Sequence, residues 1–271
     1  MSFETIVYEM LEDRVARLTL SRPEKLNAMS PQLLGEFDQA LDAFERAPDV
    51  SVLIIRGAGR AFCAGYDLTP QPGRGIDAMT VTTDRLWLHK VVERWQRLWT
   101  LPKPTIAQVH GYCLAGATEL IGHCDIVFAA PDAQFGHPAG RSLGVIPTLS
   151  LWPYLIGMRK SKELFFTGDL MAAEEALEWG LINRVVPRER LDEETLAFAR
   201  RVAGVPVDLL ALHKAAVNRF YEVMGIRAAE QSAADLDTIA HQTPGARAWL
   251  QASRAKGLKG ALRERDEPFE S

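Results

Sequence analysis

Short apolar runs alternate with amphipathic segments along the first half of the chain. Residues 6–10 and 15–21 are predicted to form two strands joined by a polar turn. Apolar, β-branched runs of strand length follow at 50–55, 105–109 and 125–130. Between them, apolar residues recur every three or four positions, as in helices packed on a sheet. Buried strands connected by helices usually pair in parallel, so this pattern predicts an α/β fold.

Capping and breaking residues set the predicted helix boundaries. Ser30-Pro31 is typical of a helix start, and this first helix should end before Pro48. A Pro/Gly-rich segment at 69–80 predicts a mobile loop, and a helix rich in large side chains follows it. Beyond about residue 187 only helical patterns remain. We therefore predict a core domain over 1–195 and a helical domain over 196–271.

Composition and charge exclude several classes of protein. The 271 residues include 31 Lys and Arg against 35 Asp and Glu, a net charge of −4, which argues against nucleic acid as a partner. The longest apolar stretches are far shorter than the ~20 residues of a membrane span. The first residues lack the pattern of a secretory signal. Three cysteines, an odd number, fit reduced thiols and a cytoplasmic location.

Two glycine-containing segments, 60–68 and 109–120, each follow a predicted buried strand. Small residues at such places allow a ligand to approach main-chain N–H groups. If the two segments converge, their amides would form an oxyanion hole. Either segment taken alone is equally well explained as a glycine-containing turn.

These segments, in their order and context, resemble those of the crotonase family, the enoyl-CoA hydratase/isomerase superfamily. The resemblance extends from about residue 4 to 269. It is carried by Arg-Pro-Glu-Lys-Leu-Asn-Ala at 22–28, Ala-Phe-Cys-Ala-Gly-Tyr-Asp-Leu at 61–68, Cys-Asp-Ile at 124–126, Phe-Gly at 135–136, Leu-Gly-Val-Ile-Pro at 143–147, Ala-Ala-Glu-Glu-Ala at 172–176, Gly-Leu-Ile-Asn at 180–183 and the tail at 257–269. It implies a crotonase-like spiral of ββα units with a C-terminal helical domain. Family members are typically trimers or dimers of trimers, which makes a homo-oligomer the expected assembly.

The resemblance also implies roles for individual residues. The Tyr66 and Gly116 N–H groups would hold the thioester oxygen of an acyl-CoA as an enolate forms, and only the amide of Tyr66 would matter. Coenzyme A would enter as part of the substrate, with no separate cofactor and no metal. The residues expected along it are Lys25, Ala28, Ala64, Asp67, Leu68 and Thr69, with Arg22 or Lys25 near the phosphates.

Glu119 is the carboxylate placed for acid/base work, because it lies one helical turn after Gly116. The alternative is a solvated helix glutamate. The family's hydratases normally have a second glutamate after the motif that is Phe-Gly-His-Pro here, and this chain has Ala139 there. The family's isomerases usually keep that later glutamate, so neither subgroup matches cleanly. His137, and less so His123, which could pair with Glu119, are candidates for a second proton-transfer group.

Three functions therefore remain open at this point. The first is an enoyl-CoA hydratase or isomerase, the second a CoA-thioester or C–C hydrolase of the same fold, and the third a non-catalytic acyl-CoA binder. Cys63 and Cys113 are expected to pack rather than to act as nucleophiles. The tryptophans Trp87, Trp95 and Trp99 are expected in the core or at a subunit interface.

Overall fold

The computed structural model describes residues 3–69, 80–145 and 151–269. The loop predicted at 69–80 lies, apart from its two end residues, outside the described residues. In the part that is described, the chain forms two sheets and a series of helices. None of the described helices is both long and apolar enough to cross a membrane.

The described residues contain nine strands. They are β1 (Ile6–Met10), β2 (Val15–Leu20), β3 (Val52–Gly57), β4 (Thr105–Val109), β5 (Tyr112–Leu114), β6 (Ile126–Ala129), β7 (Gln134–Gly136), β8 (Leu170–Ala172) and β9 (Arg184–Val185). The larger sheet has the order β1-β2-β3-β4-β6-β9, and the smaller one has the order β5-β7-β8. Only β1 and β2 are antiparallel in the larger sheet, so the predicted parallel pairing is confirmed.

The helices are α1 (Pro31–Arg46), α2 (Val81–Thr100), α3 (Gly116–Gly122), α4 (Trp152–Leu155), α5 (Met158–Thr167), α6 (Ala173–Glu178), α7 (Leu191–Ala203), α8 (Val207–Val223), α9 (Ile226–His241) and α10 (Pro244–Asp266). The predicted cap of α1 is present, since Leu33 N donates to Ser30 Oγ at 3.1 Å. Among the described residues no strand follows β9, which agrees with the helical C-terminal pattern.

Helices cover both faces of the larger sheet. On one face, α1 and α2 bury large side chains such as Phe37, Phe44 and Trp95 against the strands. On the other face, α7 packs Ala199 and Ala203 against Val15, Val52 and Ile54. Burial on both faces explains why these strands are continuous apolar runs rather than alternating ones.

The C-terminal helices fold back onto the core. The predicted boundary at 195/196 falls inside α7, which packs on the sheet, and the division into two domains stays a prediction. Helix α9 packs along α2, where Ala234 meets Leu88 and Val92 and Arg85 pairs with Asp235 at 2.6 Å. The C-terminal helix α9 is thus joined to the core through α2.

Candidate active site

The two glycine-containing segments lie side by side and are joined by main-chain hydrogen bonds. Phe62 N donates to His110 O at 2.7 Å, and Cys63 N donates to Tyr112 O at 3.0 Å. In return, Leu114 N donates to Cys63 O at 3.0 Å. The predicted convergence of the segments is therefore present, and a parallel bridge between Cys63 and Cys113 holds it.

Two unusual backbone conformations occur where the segments end. Gly65 has φ +93°, and a Cβ there would lie 2.8 Å from Leu114 O. Ala115 has φ +53° and ψ −125°, a region that residues with a Cβ rarely adopt. Strain of this kind persists only where the surrounding structure enforces it, and it is frequent at functional sites.

Tyr66 and Gly116, the two predicted amide donors, are brought together at this point. A Cβ on Gly65 would lie 3.2 Å from Gly116 N, so the chain entering Tyr66 runs beside the first residue of α3. Met29 holds the same stretch from the other side, because Met29 N donates to Gly65 O and Asp67 N donates to Met29 O. The first N–H groups of a helix have no partner within that helix, so the Gly116 N–H is suited to donate a hydrogen bond to a ligand.

Glu119 is buried, with 1% of its surface exposed, so the reading of a solvated glutamate is wrong. Its Oε2 accepts a hydrogen bond from the Tyr66 hydroxyl at 2.5 Å and another from Trp95 Nε1 at 2.7 Å. Trp95 Nε1 also lies 3.0 Å from the Tyr66 oxygen. One carboxylate oxygen thus receives two donors in a water-poor setting.

Sequence analysis missed both of these donors. The Tyr66 side chain was expected to be secondary, and Trp95 was expected in the core or at a subunit interface, whereas both side chains contact Glu119. Trp95 is 24 residues from Glu119 and lies on α2, and only the packing of α2 over α3 joins them. The presence of a polar N–H and O–H on two otherwise core-forming side chains was the available signal.

The Tyr66 phenol has a pKa well above its usual value. Burial is the main cause, followed by the negative charge of Glu119 and the hydrogen bond to it. The hydroxyl therefore keeps its proton near neutral pH and acts as a donor.

His123 does not pair with the Glu119 side chain, so that expectation is wrong. Its Nδ1 lies 2.8 Å from the main-chain oxygen of Glu119, and its Nε2 lies 2.9 Å from Glu230 Oε1 on α9. Gln96 donates to the other oxygen of Glu230 at 2.8 Å. The i+4 spacing places the His123 ring one turn after Glu119. There the ring contacts the Glu119 main-chain oxygen and the Glu230 side chain instead of the Glu119 carboxyl.

Ala139 lies in a short 3-10 turn, and His137 precedes that turn. The His137 ring is buried, and burial lowers its pKa to about 4, so the imidazole is neutral near pH 7. Its Nε2 lies 3.3 Å from Gly144 O, and its Nδ1 has no hydrogen-bond partner among the described residues. A catalytic role for His137 stays a prediction.

A cluster of titratable side chains that sequence analysis did not identify lies beside the same loop. His241 Nδ1 lies 2.8 Å from Asp84 Oδ2, and His241 Nε2 lies 3.7 Å from Asp237 Oδ1. Val145 N donates to Asp237 Oδ1 at 2.5 Å. Burial raises the pKa of Asp237 to about 7. The members come from α2, α9 and a loop, so no local sequence pattern joins them.

The segment predicted to meet coenzyme A packs against the first glycine-containing segment. Ala64 N donates to Leu26 O at 2.9 Å, which places the stretch containing Lys25 and Ala28 beside residue 64. Arg22 Nη1 pairs with Asp67 at 2.8 Å and also donates to Ala28 O. Lys25, Leu68 and Thr69 are exposed. Arg22 is thus already engaged by the protein, whereas the ammonium-bearing side chain of Lys25 reaches solvent.

The Asp67 carboxyl also supports this turn. Burial alone would raise its pKa, but hydrogen bonds from Thr69 and Arg22 hold that pKa below its usual value. Asp67 therefore stays ionised near neutral pH and fixes both the Arg22 side chain and the Thr69 amide, whose nitrogen lies 2.9 Å from Asp67 Oδ1.

The cysteines are buried thiols without disulfide partners. Burial raises the pKa of Cys63 and of Cys124 to about 12, and it raises the pKa of Cys113 well above its usual value. Thiols of this kind do not ionise near neutral pH and are poor nucleophiles. Among the described residues, no group of three or more His, Cys, Asp or Glu side chains is arranged to hold a metal ion.

Comparison with known proteins places this geometry in a family. A model of the enoyl-CoA hydratase/isomerase family matches residues 11–270. The crystal structure of an enoyl-CoA hydratase/isomerase from Xanthobacter autotrophicus Py2 superposes with a TM-score of 0.91 at 38% identity and covers 100% of both chains. An enoyl-CoA hydratase from Mycobacterium smegmatis gives 0.90 at 34% identity, over 98% of this chain and 94% of that one.

A third relative agrees. The mitochondrial enoyl-CoA hydratase of Pongo abelii is 32% identical over 227 residues, which cover 82% of this chain and 76% of that protein. The matches to the two crystal structures span the sheet, both glycine-containing segments and the C-terminal helices. The crotonase-like fold expected from the sequence motifs is therefore confirmed. The chain is therefore an enzyme of the enoyl-CoA hydratase/isomerase family.

Proposed function

We propose that the chain acts on an α,β-unsaturated acyl-CoA thioester, with the Tyr66 and Gly116 N–H groups as an oxyanion hole and Glu119 as the group that moves protons. The main support is the buried Glu119 carboxyl, one helical turn after the point where the two segments meet. Burying a carboxyl group is costly to a fold, whereas proton transfer beside a thioester requires such a group.

The chemistry follows from where negative charge develops. When a nucleophile adds to C3 of the thioester, or when a proton leaves C2 or C4, the thioester oxygen becomes an enolate oxygen. Two amide donors fixed about 2.7–3.1 Å from that oxygen stabilise it. Gly116 is the first residue of α3, and the positive end of that helix's dipole adds to the effect.

Hydration is balanced with a single carboxyl group. Glu119 takes one proton from water as the water oxygen bonds to C3, and the same proton is then delivered to C2 of the enolate. Isomerisation uses the same group, which removes a proton from one carbon and returns it to another. Since Ala139 offers no second carboxyl, the proposal leaves both steps to Glu119.

The first test compares Glu119→Gln with the native enzyme on a panel of enoyl-CoA thioesters of graded length. We expect kcat to fall by about 10²–10⁴, the usual contribution of a general acid/base, with KM less affected. Glu93→Gln, at an exposed position of α2, is the matched control and should retain native turnover.

Product masses distinguish the remaining functions. Hydration adds one water to the thioester, isomerisation leaves its mass unchanged, and hydrolysis releases free coenzyme A. Tight binding without turnover across the whole panel would contradict the proposal and favour an acyl-CoA binder. Native turnover in Glu119→Gln would remove Glu119 from the mechanism.

We also propose which residues hold coenzyme A. We assign Lys25 to the phosphates, and Ala28, Ala64, Asp67, Leu68 and Thr69 to the adenine and pantetheine parts. These residues lie on two stretches, 25–28 and 64–69, which are joined by the hydrogen bond from Ala64 N to Leu26 O and by the Arg22–Asp67 pair. The substrate brings its own coenzyme A, so no separate cofactor is proposed. The three buried, unlinked thiols fit a reducing compartment such as the cytoplasm, which we keep as part of the proposal.

We also propose a homo-oligomer, a trimer or a dimer of trimers, built through the C-terminal helices. Large apolar side chains of α8 are exposed in the single chain, among them Leu212, Phe220 and Val223. An apolar surface of this kind is typical of a subunit interface rather than of a monomer's surface.

A further inference from the structure

The Glu119 carboxyl is bound by two neutral donors in a chain that has Ala139 where the family's hydratases normally have a second glutamate. Oε2 accepts from the Tyr66 hydroxyl at 2.5 Å and from Trp95 Nε1 at 2.7 Å. We propose that Tyr66 and Trp95 are positioning residues that hold Glu119 in its ionised form, so that this enzyme works with one carboxylate and a pair of donors instead of two carboxylates. This inference rests on the proposed role of Glu119.

Close packing fixes the Tyr66 ring. A Cβ on Gly116 would lie 2.4 Å from Tyr66 Cε2 and 2.7 Å from Met29 Cε, so the ring lies directly against the first residue of α3. Trp87 packs edge-on against it, with ring centroids 5.9 Å apart. These contacts restrict the Tyr66 side chain to one orientation, in which its hydroxyl contacts Glu119.

Trp95 is fixed from the opposite side. It is fully buried, and its ring packs edge-on against Phe37 with centroids 5.9 Å apart. Helix α2 is held to α1 next to it, where Arg94 pairs with Asp38 at 3.0 Å. The indole N–H that contacts Glu119 is thus carried by a packed helix rather than by a loop.

Two charged or titratable groups near Tyr66 and Glu119 have partners of their own. Arg94, whose charge acts on Tyr66, pairs with Asp38 of α1, and His123 of α3 lies 2.9 Å from Glu230 of α9. Tyr66 keeps its proton, since its pKa is raised. The proposal therefore assigns proton transfer to Glu119, with Tyr66 and Trp95 as donors to it.

The two donors have an effect opposite to that of a second carboxylate. Hydrogen bonds to the charged form of an acid favour that form, whereas a like charge nearby disfavours it. With Ala139 in place of a glutamate and two donors on Oε2, the site favours a carboxylate that accepts a proton first. Proton abstraction, from water or from a substrate carbon, is thus the first step that this arrangement supports.

Tyr66→Phe tests the inference, because it removes the hydroxyl and leaves the ring and the oxyanion amide. In the pH profile of kcat/KM, we expect the acidic limb to move up by about one pH unit, since a hydrogen bond to a charged group is worth about that much. Trp95→Phe should move the limb in the same direction. KM for the thioester should change less than twofold in Tyr66→Phe, because the amide is retained.

Tyr8→Phe is the matched control. Its hydroxyl is also buried and has no hydrogen-bond partner among the described residues, and it lies on β1, the edge strand of the larger sheet. An unchanged acidic limb in both Tyr66→Phe and Trp95→Phe would overturn the inference, while loss of turnover in Glu119→Gln in the same assays would leave the proposed function standing. Absence of turnover by the native enzyme on the whole panel would instead reject the proposed function. If Tyr66→Phe does not fold, Trp95→Phe alone decides.

Discussion

Gly116 is the residue on which the site's close packing depends most directly. Tyr66 Cε2 and Met29 Cε occupy the space that a side chain at residue 116 would need. Any Cβ there must displace the ring that contacts Glu119. The position thus requires glycine for steric reasons, although its backbone is helical.

Gly116→Ala should lower kcat/KM at least tenfold and destabilise the fold by about 1–3 kcal/mol, the usual cost of overpacking. Steady-state kinetics and denaturant unfolding measure the two effects. Gly35→Ala in α1 is the control, because no atom lies within 4 Å of its Cβ position. That variant should gain about 0.5–1 kcal/mol and keep native kinetics. Equal behaviour of the two variants would contradict this account.

Residue-scale prediction from sequence succeeded for placements that are set by local spacing along the chain. The positions of Gly116 and Glu119, one turn apart at the start of a helix, follow from sequence alone. The contacts of Tyr66 and Trp95 with Glu119 do not, because they depend on how the segment that carries Tyr66 and helix α2 pack against α3. Spacing along one helix is local information, and side-chain contact between two helices is not.

Helix α9 places a carboxyl group in an unfavourable setting. Burial raises the pKa of Asp237 from its usual 3.8 to about 7. A folded-state pKa above the unfolded value means that the unfolded chain loses its proton first, so folding stability falls as pH rises from about 4 to about 7. His241 acts in the same sense. Burial alone would lower its pKa, but Asp84 and Asp237 hold that pKa above 6.5, so its stabilisation is lost at higher pH.

Asp237→Asn keeps an oxygen for the Val145 amide and removes the charge. The melting temperature of the variant minus that of the native enzyme should increase from pH 5 to pH 8. We expect this increase to be at least about 2 °C, which corresponds to about 1 kcal/mol of unfolding free energy. Differential scanning calorimetry at several pH values measures the effect. Asp49→Asn, at an exposed position, should show no such trend. A pH-independent difference for Asp237→Asn would contradict the raised pKa.

Element-scale prediction depended on length. The strands β1, β2, β3, β4 and β6 and the helix α1 were predicted within about two residues, because each is a sustained apolar run or extends over several helical turns. Strands β5, β7, β8 and β9 were not predicted, since two or three residues are too few to show a period. The run predicted at 50–55 begins as a strand only at Val52, because Val50 N still bonds Ala47 O in the turn after α1.

At the scale of the whole molecule, the exposed face of α8 has the strongest consequence. Phe220 and Val223 are 76% and 81% exposed, and α8 buries none of its residues within the single chain. A helix this apolar and this exposed gains little from the monomer's own core.

Phe220→Asp should convert the oligomer to smaller species, because it places a charge on the proposed contact surface. Size-exclusion chromatography with light scattering reports the mass directly. Met10→Asp, at a half-exposed position of β1, is the control and should leave the mass unchanged. A native enzyme that is monomeric at micromolar concentration would reject the proposed assembly.

Sequence patterns alone could not identify this surface. Apolar residues at helical spacing have the same appearance whether they meet the chain's own core or a neighbouring copy. Only the resemblance to a trimeric family suggested an interface, and only the fold shows which face of α8 remains uncovered.

The bridge between Cys63 and Cys113 separates two parts of the enzyme that can change independently. The 60–68 and 109–120 segments are joined by N–H and C=O groups, which every residue type except proline supplies in full. Side-chain substitutions around the bridge can therefore change the groups that contact Glu119 without removing the hydrogen bonds that hold the two segments together. The side chains around Glu119 and the placement of the main-chain amides are thus determined by different atoms of the same short segments.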